Sequence, residues 1–199
     1  KSLAAVGATG SINFMIIGFC MGVCNGFAIP VAQRFGAKDE KMLRCFVANS
    51  VWLSILFASV MTLSVCLLCR NILIWMDTPS DIFNEANQYI LIIFIGIPAT
   101  YLYNLLSGII RSLGDSRSPL IFLVISSVLN IGLDLLAIVV LHMGVAGAAG
   151  ATVLSQAISG VLCLFYIKKK FPILRIQKRE WKLRGSCIGR LCSMGIPMG

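Results

Sequence analysis

Five long stretches without charge constrain this chain more than any motif in it. Residues 2–33, 45–69, 86–110 and 143–167 contain no Asp, Glu, Lys or Arg, and 118–141 contains one acid, Asp134. A helix rising 1.5 Å per residue crosses about 30 Å of hydrocarbon in roughly 20 residues, so each stretch is long enough to span a bilayer. Charged residues make up 13% of the chain, against about 25% in soluble domains. The fold class that follows is all-α integral membrane, with five transmembrane helices at about 5–33, 45–69, 86–110, 119–141 and 145–167. A β-barrel would show strands of about 10 residues in strict alternation, a pattern absent here.

Five spans in series place alternate connections on opposite sides of the membrane. One side receives Arg34, Lys38, Lys41 and Arg44, then Arg111 and Arg117, then the run from Lys168 to Arg190. Of the seventeen basic residues, only Lys1 and Arg70 fall on the other side, with Asp77, Asp81 and Glu85. The positive-inside rule makes the basic side cytoplasmic. The net charge of +9 is therefore mainly a topology signal. Nucleic acid is not an expected partner, since the basic residues are split among three loops and no soluble domain carries a groove.

Residues 168–186 read as a basic cytoplasmic loop, with Phe171, Ile173, Leu174 and Trp181 able to dip into an anionic lipid interface. Residues 187–199 read as the start of a further helix. The chain begins at Lys1 without methionine and ends in SMGIPMG, so it is expected to be a fragment of a longer polypeptide. Residues 2–33 are too long for the apolar core of a cleavable signal.

Eight cysteines and one histidine leave almost no material for a zinc site. Cys20, Cys24, Cys45, Cys66, Cys69 and Cys163 sit in or at the ends of apolar runs, where packing accounts for them, the CxxC spacing of Cys66 and Cys69 included. His142, at the end of its run, reads as interfacial. No catalytic cluster is visible, no cofactor is expected, and the chain is not read as an enzyme.

The connections add detail. In QRFGAKDEKMLR, Gly36 can end one helix and Asp39 can cap the next. In RSLGDSRSP, Gly114 and Pro119 mark a turn and a helix start. Only His142, Met143 and Gly144 separate the fourth and fifth spans, which makes a hairpin with little slack. Pro98 predicts a kink in the third span. Gly18, Gly22 and Gly26 on the first span, and Gly147 and Gly150 on the fifth, predict close helix packing.

The hairpin gives Asp134 a context. Asp134 and Thr152 are each nine residues from Met143, so they are predicted level, roughly 13 Å from the turn. Asp134 shares a helix face with Asn130 and Ser127, and Thr152 with Ser155, Gln156 and Ser159. An ionised Asp facing lipid near mid-membrane costs about 2.5–3.5 kcal/mol, so the acid should face the protein interior or a wet cavity. There it can carry a proton. Among Asn, Thr and backbone oxygens it can equally hold Na⁺, a hard cation suited to oxygen ligands. A purely structural use, tying two helices together through Asn130 or Thr152, is the competing reading.

The ordered segments AVGATGSINFMIIGFCMGVCNG, VAQRFGAKDEK, IIRSLGDSRSPL, VLNIGLDLLAI, GVAGAAGATVLSQAISG and GIPMG resemble the multidrug and toxic compound extrusion (MATE) transporters. The resemblance covers essentially the whole chain. It implies helices two to six of a twelve-helix, two-lobed secondary transporter, plus the start of helix seven. It also implies export of organic, often cationic and amphipathic compounds in exchange for H⁺ or Na⁺, from a bacterial plasma membrane. Asp134 and Asn130 match the acid and amide of the family's cation site, and Thr152 its sixth-helix partner. The family's further acid on helix one has no counterpart here, so the first helix and the C-terminal lobe would complete the site and the pathway. A flippase for lipid-linked saccharides of related fold would be expected to show a more basic cavity than these spans provide. A non-transporting membrane subunit would leave the aligned polar stripes unexplained.

Overall fold

The computed structural model describes residues 2–176 and 180–199, and of residues 2–6 and 8 the backbone only. Lys1, Lys178 and Arg179, counted above in the charge pattern, lie outside the described residues. Every apolar run becomes helical. The elements are α1 (Ser2–Gly36), α2 (Glu40–Trp75), α3 (Ser80–Ile95), α4 (Ile97–Ser112), α5 (Arg117–Leu135), α6 (Gly144–Lys170) and α7 (Gly185–Gly195). A π-helical turn, Leu136–Val140, extends α5, and 3-10 turns follow at Pro172–Leu174 and Ile196–Met198.

Helices α1, α2, α5 with its π turn, and α6 are each long and apolar enough to cross a membrane. The pair α3 and α4, bent by 42°, is together long and apolar enough to make a fifth. The predicted kink is therefore present, but the break falls at Gly96, two residues before Pro98. Pro98 occupies the first turn of α4, where its missing N–H costs nothing. Gly96 is needed at the bend because a Cβ there would lie 2.2 Å from Val153 Cγ2 on α6.

α4 is the centre of the bundle. It packs on α1, α2 and α6 and buries Tyr101, Tyr103, Leu105, Leu106, Ile109 and Ile110. Together with Phe27, Phe46, Phe94 and Leu73 these residues form one continuous core. Cys20, Cys24, Cys45, Cys69, Cys163 and Cys187 are all free and buried within it. α5 is peripheral: it packs chiefly on α6, and Ile121, Val124, Val128, Ile131 and Leu135 point outward.

The connections expected on one side of the membrane do meet at one end of the bundle. Gly36 closes α1, and Asp39 caps α2 by accepting from the Met42 N–H at 3.2 Å. Arg44 donates to Glu180 at 2.9 Å, and the Arg184 N–H donates to the buried Asn49 at 3.0 Å. These bonds dock the segment after α6 against α2. Leu174 is accordingly buried and Phe171 and Ile173 are half-buried. The apolar residues expected to dip into lipid turn largely inward instead, because neighbouring helices offer them a protein surface.

At the same end, Asp115 gathers four donors. Its Oδ1 accepts from the Ser118 N–H at 3.1 Å, and its Oδ2 from Ser118 Oγ at 2.8 Å, Tyr166 OH at 2.6 Å and Lys170 Nζ at 2.8 Å. The Lys170 hydrogen bond first, and Tyr166 second, hold the carboxyl well below the usual carboxylate range, against the opposing effect of burial. A group depressed in this way contributes stability above its unfolded pKa of about 4 and loses it as the pH falls towards the folded value. Asp115→Asn is expected to lower the melting temperature at pH 7 by the equivalent of about 1–3 kcal/mol. The wild-type and variant curves should converge in titrated melts below about pH 4; a constant gap down to the lowest pH would contradict the assignment.

Candidate cation site

The α5–α6 hairpin turns at Leu141–Met143, with His142 at φ 51° and Gly144 at φ 60°. Close approach just past the turn depends on Gly147, where a Cβ would lie 2.9 Å from Met143 Cβ and 3.0 Å from Ala137 Cβ. Gly150 differs from the packing role expected of it: nothing lies within 4 Å of its Cβ position, and it opens on an apolar hollow shared by α3, the turn and α6. On α1, Gly22 and Gly26 lie against the C-terminal segment, with Cβ positions 2.1 Å from Met198 O and 2.5 Å from Gly195 Cα. Gly18 has nothing within 4 Å, since no described helix covers that part of α1.

Along the hairpin, Asn130 Nδ2 donates to Thr152 Oγ1 at 3.3 Å, and Thr152 Oγ1 donates to Ala148 O at 3.1 Å. The observed partner of Thr152 is thus Asn130, one helical turn from the predicted Asp134. The π turn is one physical reason. Its i→i+5 coil holds more residues per turn than an α-helix, so α5 residues lie nearer the turn than a count at 1.5 Å per residue puts them.

Asp134 is half-buried. Its Oδ1 is shielded from solvent, and no described group donates to it. On α6, Gln156 Oε1 and Ser159 Oγ are likewise shielded and without a hydrogen-bond partner. A buried acceptor left without a donor costs about 1–3 kcal/mol, and a carboxylate oxygen in that position is a natural place for a proton or a metal cation. Ser155 is buried but spent on its own helix, its hydroxyl donating to Thr152 O at 2.8 Å. Ser127 is exposed and donates to Leu123 O at 3.0 Å, so it does not join the cluster.

Among the described residues no three His, Cys, Asp or Glu side chains gather as a metal cluster.

A bundle of apolar helices with a bent pair at its centre and an acid within a hairpin span defines the class: a polytopic all-α membrane protein. The sequence profile described as MatE matches residues 1–136. The chain belongs to the MatE family, whose members are transporters rather than enzymes. It is 34% identical over its full length to the probable multidrug resistance protein YpnP of Bacillus subtilis, and 29% identical over 98% of its length to YoeA of the same organism. It spans 44% of the length of each. Among solved structures, it superposes on an inward-facing multidrug resistance MATE family transporter with a TM-score of 0.92 at 26% identity, covering 99% of this chain and 45% of that one. An outward-facing form gives 0.91 at 26% identity, over 98% of this chain and 44% of that one.

Proposed function

We propose that this chain is the greater part of the N-terminal lobe of a secondary active transporter that exports cationic, amphipathic organic compounds in exchange for H⁺ or Na⁺. The observation that carries this reading is Asp134 Oδ1: an intramembrane carboxylate oxygen, shielded and without a donor, one turn from the Asn130–Thr152 link. In this reading Asp134 carries the coupling cation, Asn130 and Thr152 set its position, and Gln156 and Ser155 line the approach. The basic loops face the cytoplasm of a bacterial cell, and no cofactor takes part. The names of the curated relatives support multidrug efflux as the activity of the complete polypeptide.

A cation can drive exchange only by binding two conformations unequally. Near-equal superposition on inward-facing and outward-facing relatives supports a lobe that keeps its fold while the transporter changes state. Cation arrival from outside would then act through small repacking around α5 and α6 that favours the outward opening and drug release. The test is efflux of a fluorescent cationic dye by the full-length protein in proteoliposomes, with proton and sodium gradients imposed separately. Transport under one gradient and not the other names the coupling ion. Gradient-independent behaviour, or movement of lipid-linked saccharides in place of dye, would overturn the proposal.

A further inference from the structure

Helices α2 and α6 both pack on α4, while among the described residues their backbones stay apart. The gap between them is a fissure of about 500 Å³ floored by Leu106 and Ile109 of α4, within the roughly 300–1,000 Å³ of typical ligand clefts. Val51 and Leu164 form its walls, and Phe171 and Trp181 close it at the end where the basic loops meet. Trp181 stands edge-on to Trp52 at 6.4 Å, and its carbonyl accepts from Trp52 Nε1 at 3.2 Å. Aromatic residues of this kind favour the headgroup level of a membrane.

The charge at this mouth has one sign. Lys168 and Arg175 both border the fissure and are exposed, and neither is paired with a carboxylate among the described residues. Their neighbours are paired: Lys170 with Asp115, Arg44 with Glu180. An apolar slot lined by Val47, Val51, Leu164 and Ile167, with two free cations at its mouth, matches an amphiphile with an anionic head. A cationic drug would be repelled there, and a free phosphate would leave the apolar walls unused.

We propose that this fissure binds an anionic glycerophospholipid, one acyl chain lying over α4 between α2 and α6 and the phosphate held between Lys168 and Arg175. Assigning the lipid to the cytoplasmic leaflet rests on the orientation proposed above; the binding itself does not. Basic pockets between membrane helices commonly hold such headgroups.

The test uses detergent-purified full-length protein in native mass spectrometry, titrated with equal amounts of dioleoyl phosphatidylglycerol and dioleoyl phosphatidylcholine. Wild type should retain phosphatidylglycerol preferentially. Lys168→Glu with Arg175→Glu should weaken that retention by about tenfold or more and leave phosphatidylcholine unchanged, with the melting temperature showing that the fold persists. Leu164→Trp, which fills the slot, should reduce retention of both lipids. Equal phosphatidylglycerol retention by wild type and the charge-reversed protein would overturn the proposal. So would displacement of the lipid by millimolar inorganic phosphate, or no retained lipid on wild type, which would mean that another part of the polypeptide covers the fissure. Loss of dye efflux with lipid retention intact would count against the transport reading and not against this one.

Discussion

Asp134→Asn in the full-length protein is expected to reduce ion-driven dye efflux to the background of protein-free vesicles. The amide has nearly the carboxylate's shape, so packing against α6 is preserved. It cannot take up a proton near neutral pH and offers no charge to Na⁺. Moving a two-state transporter from 1:99 to 99:1 takes about 5.5 kcal/mol of differential binding, and a neutral amide has no comparable preference to draw on. Membrane insertion should be unaffected, and the melting temperature should be equal or higher, because an intramembrane acid is costly to hold. That combination separates a coupling site from a structural link, whose loss would lower stability and leave transport scaled to the amount of folded protein. Full gradient-driven transport by the variant would end the assignment.

Gly26→Val is expected to be among the most damaging substitutions in α1, while Gly18→Ala two turns earlier is tolerated or slightly stabilising. A Cβ on Gly26 would lie 2.5 Å from Gly195 Cα and 2.7 Å from Met194 O. Both are backbone atoms, which no rotamer change can move aside. The helices must separate, at the 1–3 kcal/mol or more usual for overpacking, and the contact between α1 and α7 is lost along its length. Gly18 meets nothing within 4 Å, and alanine is a better helix former by about 1 kcal/mol. Melting in detergent and elution profile on size exclusion report the difference. Equal melting temperatures for Gly26→Val and wild type would show that α7 does not pack on α1 through this face.

The contrast between these glycines shows what a pattern can carry. Gly18, Gly22 and Gly26 look alike as a four-residue repeat, yet two face the C-terminal segment and one faces outward. Small residues state that close approach is allowed; which neighbour arrives is decided elsewhere. Pro98 behaves similarly. It announces a bend, but the chain breaks at Gly96, where Val153 of α6 needs the space of a missing side chain.

At the candidate site, Asn130, Asp134 and Thr152 were all legible from charge, depth and helical period, and the structure does set Asn130 against Thr152. The register was not legible, since the π turn at Leu136–Val140 leaves no clear mark in an apolar run and the way α5 leans on α6, which decides that Asn130 meets Thr152, is a property of both helices. Ser127 has the right period but is exposed, because α5 meets the bundle through one narrow face.

The sequence by itself determined that the chain is helical, membrane-spanning, charged at one end of its bundle and provided with one intramembrane acid on a hairpin. Transfer into a bilayer is close to additive over residues, and helical period is local, so both can be read along a single chain. The tertiary structure alone decided that α4 is the centre, that α2 and α6 leave a fissure over it, and that Asp134 keeps an oxygen free while Asn130 takes Thr152. Those outcomes depend on which surfaces meet, and each contact is a property of two segments far apart in the chain.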